Sequence, residues 1–183
     1  MIKKIRFIIL ITFISIYFII SPILIFYSLG YRLNFKNWKI EKEKELESKE
    51  LEKLVRPCKI KLLRGCVFRQ SKPAVVGVII LGGILKTKIT LMKKDGSKVG
   101  EIKSMQLEKK NIEKAEKDKE IAISIPGVTV GRQIEEDDIL LSDIDEEDFK
   151  KLREMKRFLS NDEIEILKEI ALIKRKENNM WGL

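Results

Sequence analysis

The chain has no histidine, and only two cysteines and four prolines in 183 residues. Without histidine there is no serine or cysteine triad built on an imidazole base, and no His-ligated zinc. Two cysteines are too few for a disulfide scaffold. Cys58 and Cys66 are not followed by a second pair, so a thiolate metal site is not expected. Ten glycines and four prolines exclude a collagen-like or Pro/Gly low-complexity chain. The phosphate-binding pattern G-x-x-x-x-G-K-[ST] is absent. The nearest stretch, Gly82-Gly83-Ile84-Leu85-Lys86-Thr87-Lys88, lacks the second glycine that bends such a loop around phosphate. The acidic run Glu135-Glu136-Asp137-Asp138 reads as a solvated turn. No catalytic constellation is present, so the expectation is a protein that is not an enzyme, with neither cofactor nor metal.

What is there is unevenly spread. Residues 1–40 hold six basic groups and no acid. Phe7 to Leu29 is an uncharged, mostly apolar run of 23 residues. As a helix it would reach roughly 34 Å, enough for a hydrocarbon core of about 30 Å. Tyr27, Tyr31 and Trp38 suit an interfacial belt. The run is longer than a signal-peptide core and no small-x-small cleavage site follows. A transmembrane helix over residues 7–29 is therefore expected, with its basic flank, in a segment 1–40. Residues 41–56 follow as a charged linker helix. Glu41 to Val55 holds six acids and four lysines, and Arg56-Pro57 stops it.

Short strands are expected from Pro57 to about Asp143. Lys59-Ile60-Lys61-Leu62 alternates, and Ala74 to Leu81 is a continuous apolar run of the kind buried on both faces. Gly82-Gly83 reads as a turn into a partner strand over Leu85 to Met92, and Lys94-Asp95-Gly96-Ser97 as a second turn. Val99 to Leu107, Ile121 to Ile125 and Ile139 to Leu141 complete the set. This spacing predicts a mainly β domain, a small antiparallel β-barrel over 57–143. Its charge is polarised: residues 56–110 balance to +11 and residues 111–150 to −8. A basic half suits phosphate backbones.

Residues 144–183 read as two C-terminal α-helices. Asp145-Glu146-Glu147-Asp148 places acids at a helix start. Ser160-Asn161-Asp162-Glu163 is a capping box for a second helix running to about Lys176. Its apolar positions, Ile164, Ile166, Leu167, Ile170, Ala171 and Ile173, cover about half the circumference. That width suits a neighbour in the same chain on one side and a partner on the other, or equally a fully internal helix in a compact two-helix cap. The ending Met180-Trp181-Gly182-Leu183 is unfavourable unless docked.

Phe68-Arg69-Gln70-Ser71-Lys72-Pro73-Ala74-Val75-Val76-Gly77-Val78 resembles the C-terminal domain of the archaeal and eukaryotic branch of the translation initiation factor 2 family, whose eukaryotic member is initiation factor 5B. Arg56 to Leu63, Lys94 to Ile102, Ile121 to Ile125, Gly131 to Ile134 and Trp181-Gly182 carry the likeness further, over about residues 41–183. Residues 1–40 have no counterpart in it. The resemblance implies a barrel like the second domain of the elongation factors. It implies binding to initiator tRNA and the ribosome, and to initiation factor 1A through the terminal helices. On it, Arg64, Arg69, Lys72 and Arg132 are the expected RNA contacts. Ile166, Leu167, Ile170, Ile173 and Lys174 are the expected contacts for factor 1A. GTP is expected only of the full-length family. Two positions where the family carries turn glycines fall here at Lys88 and near Asp118. The implied function is that of an initiation factor fragment in the cytoplasm. The rival reading is a membrane-anchored adaptor that uses the barrel to bind protein or RNA.

Overall fold

The computed structural model describes residues 38–43, 45–47 and 49–183. The segment 7–29 expected to cross a membrane lies outside the described residues. Among those residues, no helix is long and apolar enough to cross one. The chain divides into a unit of residues 1–47 and a unit of residues 48–183. In the first, the described residues are helical, and Lys42 pairs with Glu45 at 2.8 Å.

The second unit begins with helical residues 49–53, whose Leu51 and the following Leu54 are buried. Nine strands follow: β1 (Cys58–Arg69), β2 (Ala74–Lys86), β3 (Thr90–Lys93), β4 (Lys98–Glu101), β5 (Ser104–Leu107), β6 (Lys110–Ile112), β7 (Lys114–Glu116), β8 (Glu120–Ile125) and β9 (Ile139–Ser142). They pair antiparallel in the order β4-β3-β9-β1-β2-β8-β5-β6, and β7 pairs with the end of β2. The sheet is a curled half-barrel, where the sequence reading expected a full barrel. Its curl has a visible cause in β4 and β5, which are one stretch of chain that changes neighbour. The Ile102 N–H donates to the Ile89 carbonyl at 2.9 Å, on the β3 side. One residue later the Lys103 N–H donates to the Ser124 carbonyl at 2.8 Å, on the β8 side.

Period-2 patterning places the core. Ile60 and Leu62 of β1, Val76, Val78 and Ile80 of β2, and Ile121, Ile123 and Ile125 of β8 all face inward and are buried. The second face of β2 is only half-buried at Val75 and Ile79, although the strand reads as apolar throughout. Gly82-Gly83 is not a turn. Strand β2 runs straight through it, and Leu81 is an extra residue in the ladder between Ile80 and Gly82. Gly83 sits at φ +76°, and a Cβ there would lie 1.9 Å from the Pro57 carbonyl oxygen. The pair is therefore a bulge with close backbone approach. The turn comes later, at Thr87-Lys88.

Two helices close the chain, α1 (Glu146–Glu154) and α2 (Asn161–Glu177). The Asp145 side chain accepts from the Asp148 N–H and starts α1. Ser160 and Glu163 form the anticipated capping box of α2. A second core gathers Leu51, Leu54, Met92, Leu141, Phe149, Leu152 and Trp181 around Ile166, Leu167, Ile170 and Ile173.

Candidate functional site

A wide bulge in β1 shapes the outer face of the sheet. Leu62 pairs with Val78 and Val67 with Val76, so residues 63–66 all stand opposite Gly77. Gly65, at φ +71°, supplies the left-handed step that folds this excess outward. Gly77 leaves the space beneath it. A Cβ on Gly77 would lie 2.7 Å from Cys66 Cβ, closer than two side chains approach. The row continues across the sheet through Ala122 of β8 and Gln106 of β5. Small residues in the middle strands and a bulge at one edge thus make a hollow.

The hollow is two adjoining cavities. One, of about 460 Å³, is lined by Leu63, Cys66, Phe68, Val75 and Ile121, with Glu108, Lys109 and Glu120 among its charged residues. The other, of about 340 Å³, is lined by Arg69, Pro73, Ser104, Ile123 and Ser124. Phe68, Val75, Gln106 and Ala122 belong to both. Phe68 is 69% exposed, a large ring kept in solvent where the two meet. An exposed aromatic beside an apolar hollow is suited to stacking a planar ligand group.

Of the four basic residues expected to meet RNA, Arg69 lines the second cavity, and Lys72 lies in the turn between β1 and β2. Arg132 lies in the turn 129–134, which is tied to the first turn by a Ser71–Thr129 bridge and by the Val130 N–H donating to the Gln70 carbonyl at 2.9 Å. The fold brings these three to one end of the sheet. Arg64 stands in the bulge, beside the acidic loop: the neighbouring Gly65 N–H donates to Glu136 at 3.1 Å. Two of the four acids of that loop are paired with lysines of β1 and β3. Lys61 pairs with Asp137 at 2.9 Å and Lys93 with Asp138 at 3.3 Å. The hydrogen bond and charge of Lys61 hold the Asp137 carboxyl below its ordinary value. No three potential metal ligands gather among the described residues.

The residues expected to face a partner are placed differently. Ile166, Leu167, Ile170 and Ile173 are buried in the chain's own second core. Lys174 is bonded to Asp143, which Lys98 also holds at 3.0 Å. The wide apolar stripe of α2 has an internal explanation: the sheet covers it at Gly82 and α1 with Trp181 cover the rest. The outward side of α2 instead carries Lys168, Leu172 and Lys176, with Leu172 66% exposed.

Sequence reasoning missed the hollow itself. Cys66, Phe68, Gln106 and Ala122 have no spacing that marks them, because a register shift between β1 and β2 makes the bulge, and the pairing of β2 with β8 and of β8 with β5 brings in the rest. The one signal was Gly77 inside an otherwise apolar strand, which points to close approach.

Comparison with known proteins supplies the context. Residues 56–141 match the family model described as elongation factor Tu domain 4. A probable translation initiation factor IF-2 of Methanopyrus kandleri is 50% identical over 145 residues, 79% of this chain and 24% of that protein. Its counterpart in Methanocella arvoryzae is 45% identical over 150 residues, 81% of this chain and 25% of that protein. The crystal structure of GDP-bound aIF5B from Aeropyrum pernix aligns with a TM-score of 0.71 at 33% identity, over 81% of this chain and 26% of that one. The chain spans about a quarter of the length of the curated relatives it matches.

Proposed function

We propose, from the homology of this domain to the C-terminal domain of the IF-2/aIF5B translation initiation factors, that it is a binding module for the aminoacyl acceptor end of initiator tRNA on the ribosome. It acts in the cytoplasm, without chemistry of its own. The observation that carries this reading is the paired hollow on the outer sheet face. An acceptor end offers a planar base, a phosphodiester and an apolar amino-acid side chain. The hollow offers the exposed ring of Phe68, the guanidinium of Arg69 and an apolar recess under the bulge. Lys72 and Arg132 extend positive charge from the Arg69 end, along the path of the next phosphates, and Arg64 flanks the bulge. Phosphate contacts of this kind set affinity and its salt dependence.

For the companion factor 1A, the buried stripe of α2 is replaced in this proposal by the outward row Lys168, Leu172 and Lys176, which suits an acidic segment with an apolar anchor.

Charge reversal tests the tRNA reading. Arg69→Glu with Lys72→Glu should weaken initiator tRNA binding about ten-fold or more at low salt, and reduce the slope of log affinity against log salt by about two. Filter binding of the full chain across a salt series measures both. Unchanged affinity and slope would reject the proposed surface.

A further inference from the structure

Residues 51–57 lead the chain into the first strand, and this short segment is bound at several points. Leu51 and Leu54 are buried in the second core. The Lys86 ammonium, at the end of β2, donates to the Glu52 carbonyl at 2.6 Å. The Pro57 carbonyl accepts from the Ile84 N–H at 3.4 Å. Between these fixings, two consecutive residues reach the two terminal helices. The Val55 N–H donates to the Asp148 carboxylate at 3.0 Å, and the Arg56 guanidinium donates two bonds of 2.6 Å to Glu163.

Both acceptors hold the same place in their helices. Asp148 is the third residue of α1 after its cap Asp145, and Glu163 the third residue of α2 after its cap Ser160. Each also closes its own first turn. The Asp148 N–H donates to the Asp145 side chain at 2.8 Å. Glu163 accepts from the Ser160 N–H at 2.9 Å and its own N–H donates to the Ser160 hydroxyl at 3.2 Å. The Glu163 side chain is only 2% exposed. If Arg56 leaves, that carboxylate keeps one donor, and a buried charge so poorly paired must turn out to water. Turning out breaks one half of the capping box. The converse also holds. Burial, Arg56 and Lys114 push the Lys86 ammonium below its ordinary value, while Glu52 and Glu163 oppose them. Lys86 and Lys114 stand directly opposite each other on β2 and β7. Without Glu163, Arg56 faces these two lysines with less to offset their repulsion, and the segment is pushed off.

We propose that residues 51–57 are a latch that sets the first turns of both terminal helices together: docked, it completes both, and released, it frees both while the sheet stays formed. A pull on the chain leading into the latch is then felt at two helix starts at once. By reciprocity, a ligand that holds those starts in place holds the latch shut.

Native-state hydrogen exchange of the full chain, followed by NMR at urea concentrations below the unfolding midpoint, tests this. The amides of Val55, Asp148, Ser160 and Glu163 report the latch, because each donates to one of the side chains named above. They should open in one shared event, at lower free energy than the sheet amides of Ile123 and Leu140. Four separate events, or four amides that open only with the sheet, would overturn the latch. Arg56→Gln then perturbs one helix and is read at the other. It should speed exchange at Asp148 about ten-fold or more, along with Ser160 and Glu163. Asp148→Ala should do the converse at Ser160 and Glu163. The Ser97 amide, closed by its own turn onto Asp95 at 2.9 Å, should not change in either variant. Effects confined to the altered helix, or an equal effect at Ser97, would overturn the coupling. The urea series on the unaltered chain decides the question by itself if either variant fails to fold.

Discussion

Lys88 and Asp118 hold backbone conformations that their side chains disfavour, at φ +63° and +65°. Both are positions where the resemblance leads one to expect glycine. An L-residue in the left-handed region costs about 1–2 kcal/mol, with aspartate among the better tolerated. Lys88 is therefore the more strained of the two. Its N–H donates to the Ile102 carbonyl at 2.8 Å, so the turn is fixed by the pairing at the β4–β5 partner switch. Lys88→Gly removes the clash and gives back some unfolded-chain entropy. It should raise stability by about 0.5–1 kcal/mol, more than Asp118→Gly, in urea unfolding of the full chain. A loss of stability at Lys88 would show that its side chain contributes more than its backbone costs. At this scale the sequence was informative wherever a rule is local. The Ser160–Glu163 box could be read directly, because its two bonds close within three residues. The second role of Glu163 could not. It also accepts two bonds of 2.6 Å from Arg56, 107 residues away, and no pattern in the sequence joins them.

The elements are held to one another by a few such long-range pairs. Asp143, just after β9, accepts from Lys174 of α2 and Lys98 of β4, so one carboxylate ties both helix and hairpin to the sheet. Burial raises its pKa, but the hydrogen bonds and charges of the two lysines outweigh burial and hold the carboxyl below its ordinary value. A depressed folded-state pKa contributes stability that is present above the unfolded value, about 3.9, and is lost as pH falls through the folded one. Unfolding free energy should therefore decline with acid below about pH 4, and Asp143→Asn should flatten that limb while lowering stability at pH 7. Denaturant titrations from pH 2.5 to 7 measure this; an unchanged acid limb in the variant would remove Asp143 from the account. Elements with strong local signals were legible: β8 and the start of β1 fall where alternation places them, β9 on its short apolar run, and both helices at their caps. Strands β6 and β7 were not. They are three residues each, written in Lys, Asn, Ala, Ile and Glu, and they form only because longer strands offer them edges. Gly82-Gly83 was misread as a turn because glycine signals close approach and chain reversal alike, and only the Pro57 carbonyl decides between them.

Across the whole of residues 48–183, two cores share one sheet. On β3, Leu91 belongs to the first core and its neighbour Met92 to the second. On β9, Leu140 and Leu141 divide in the same way. These strands are buried on both faces, which is why their sequence runs apolar without alternation. The width of the α2 stripe has the same origin, and from sequence alone it left a partner and an internal neighbour equally open. The chain's final residues complete the second core. The rings of Trp181 and Phe149 lie 4.6 Å apart, and Gly182 packs against Phe149 so closely that a Cβ would come within 2.6 Å of it. Arg153 and Arg175 donate to the carbonyls of Gly182 and Trp181, each at 2.9 Å. The expectation that this ending must be docked is met by a clamp on both its ring and its backbone. Because β3 and β9 serve both cores, weakening the helical side must also weaken the sheet. Trp181→Ala should cost about 3–5 kcal/mol. Unfolding followed by far-ultraviolet circular dichroism and by near-ultraviolet signal should then shift to lower denaturant as one coincident transition. Two separated transitions, with the helices lost first over an intact sheet, would show that the shared strands do not couple the cores.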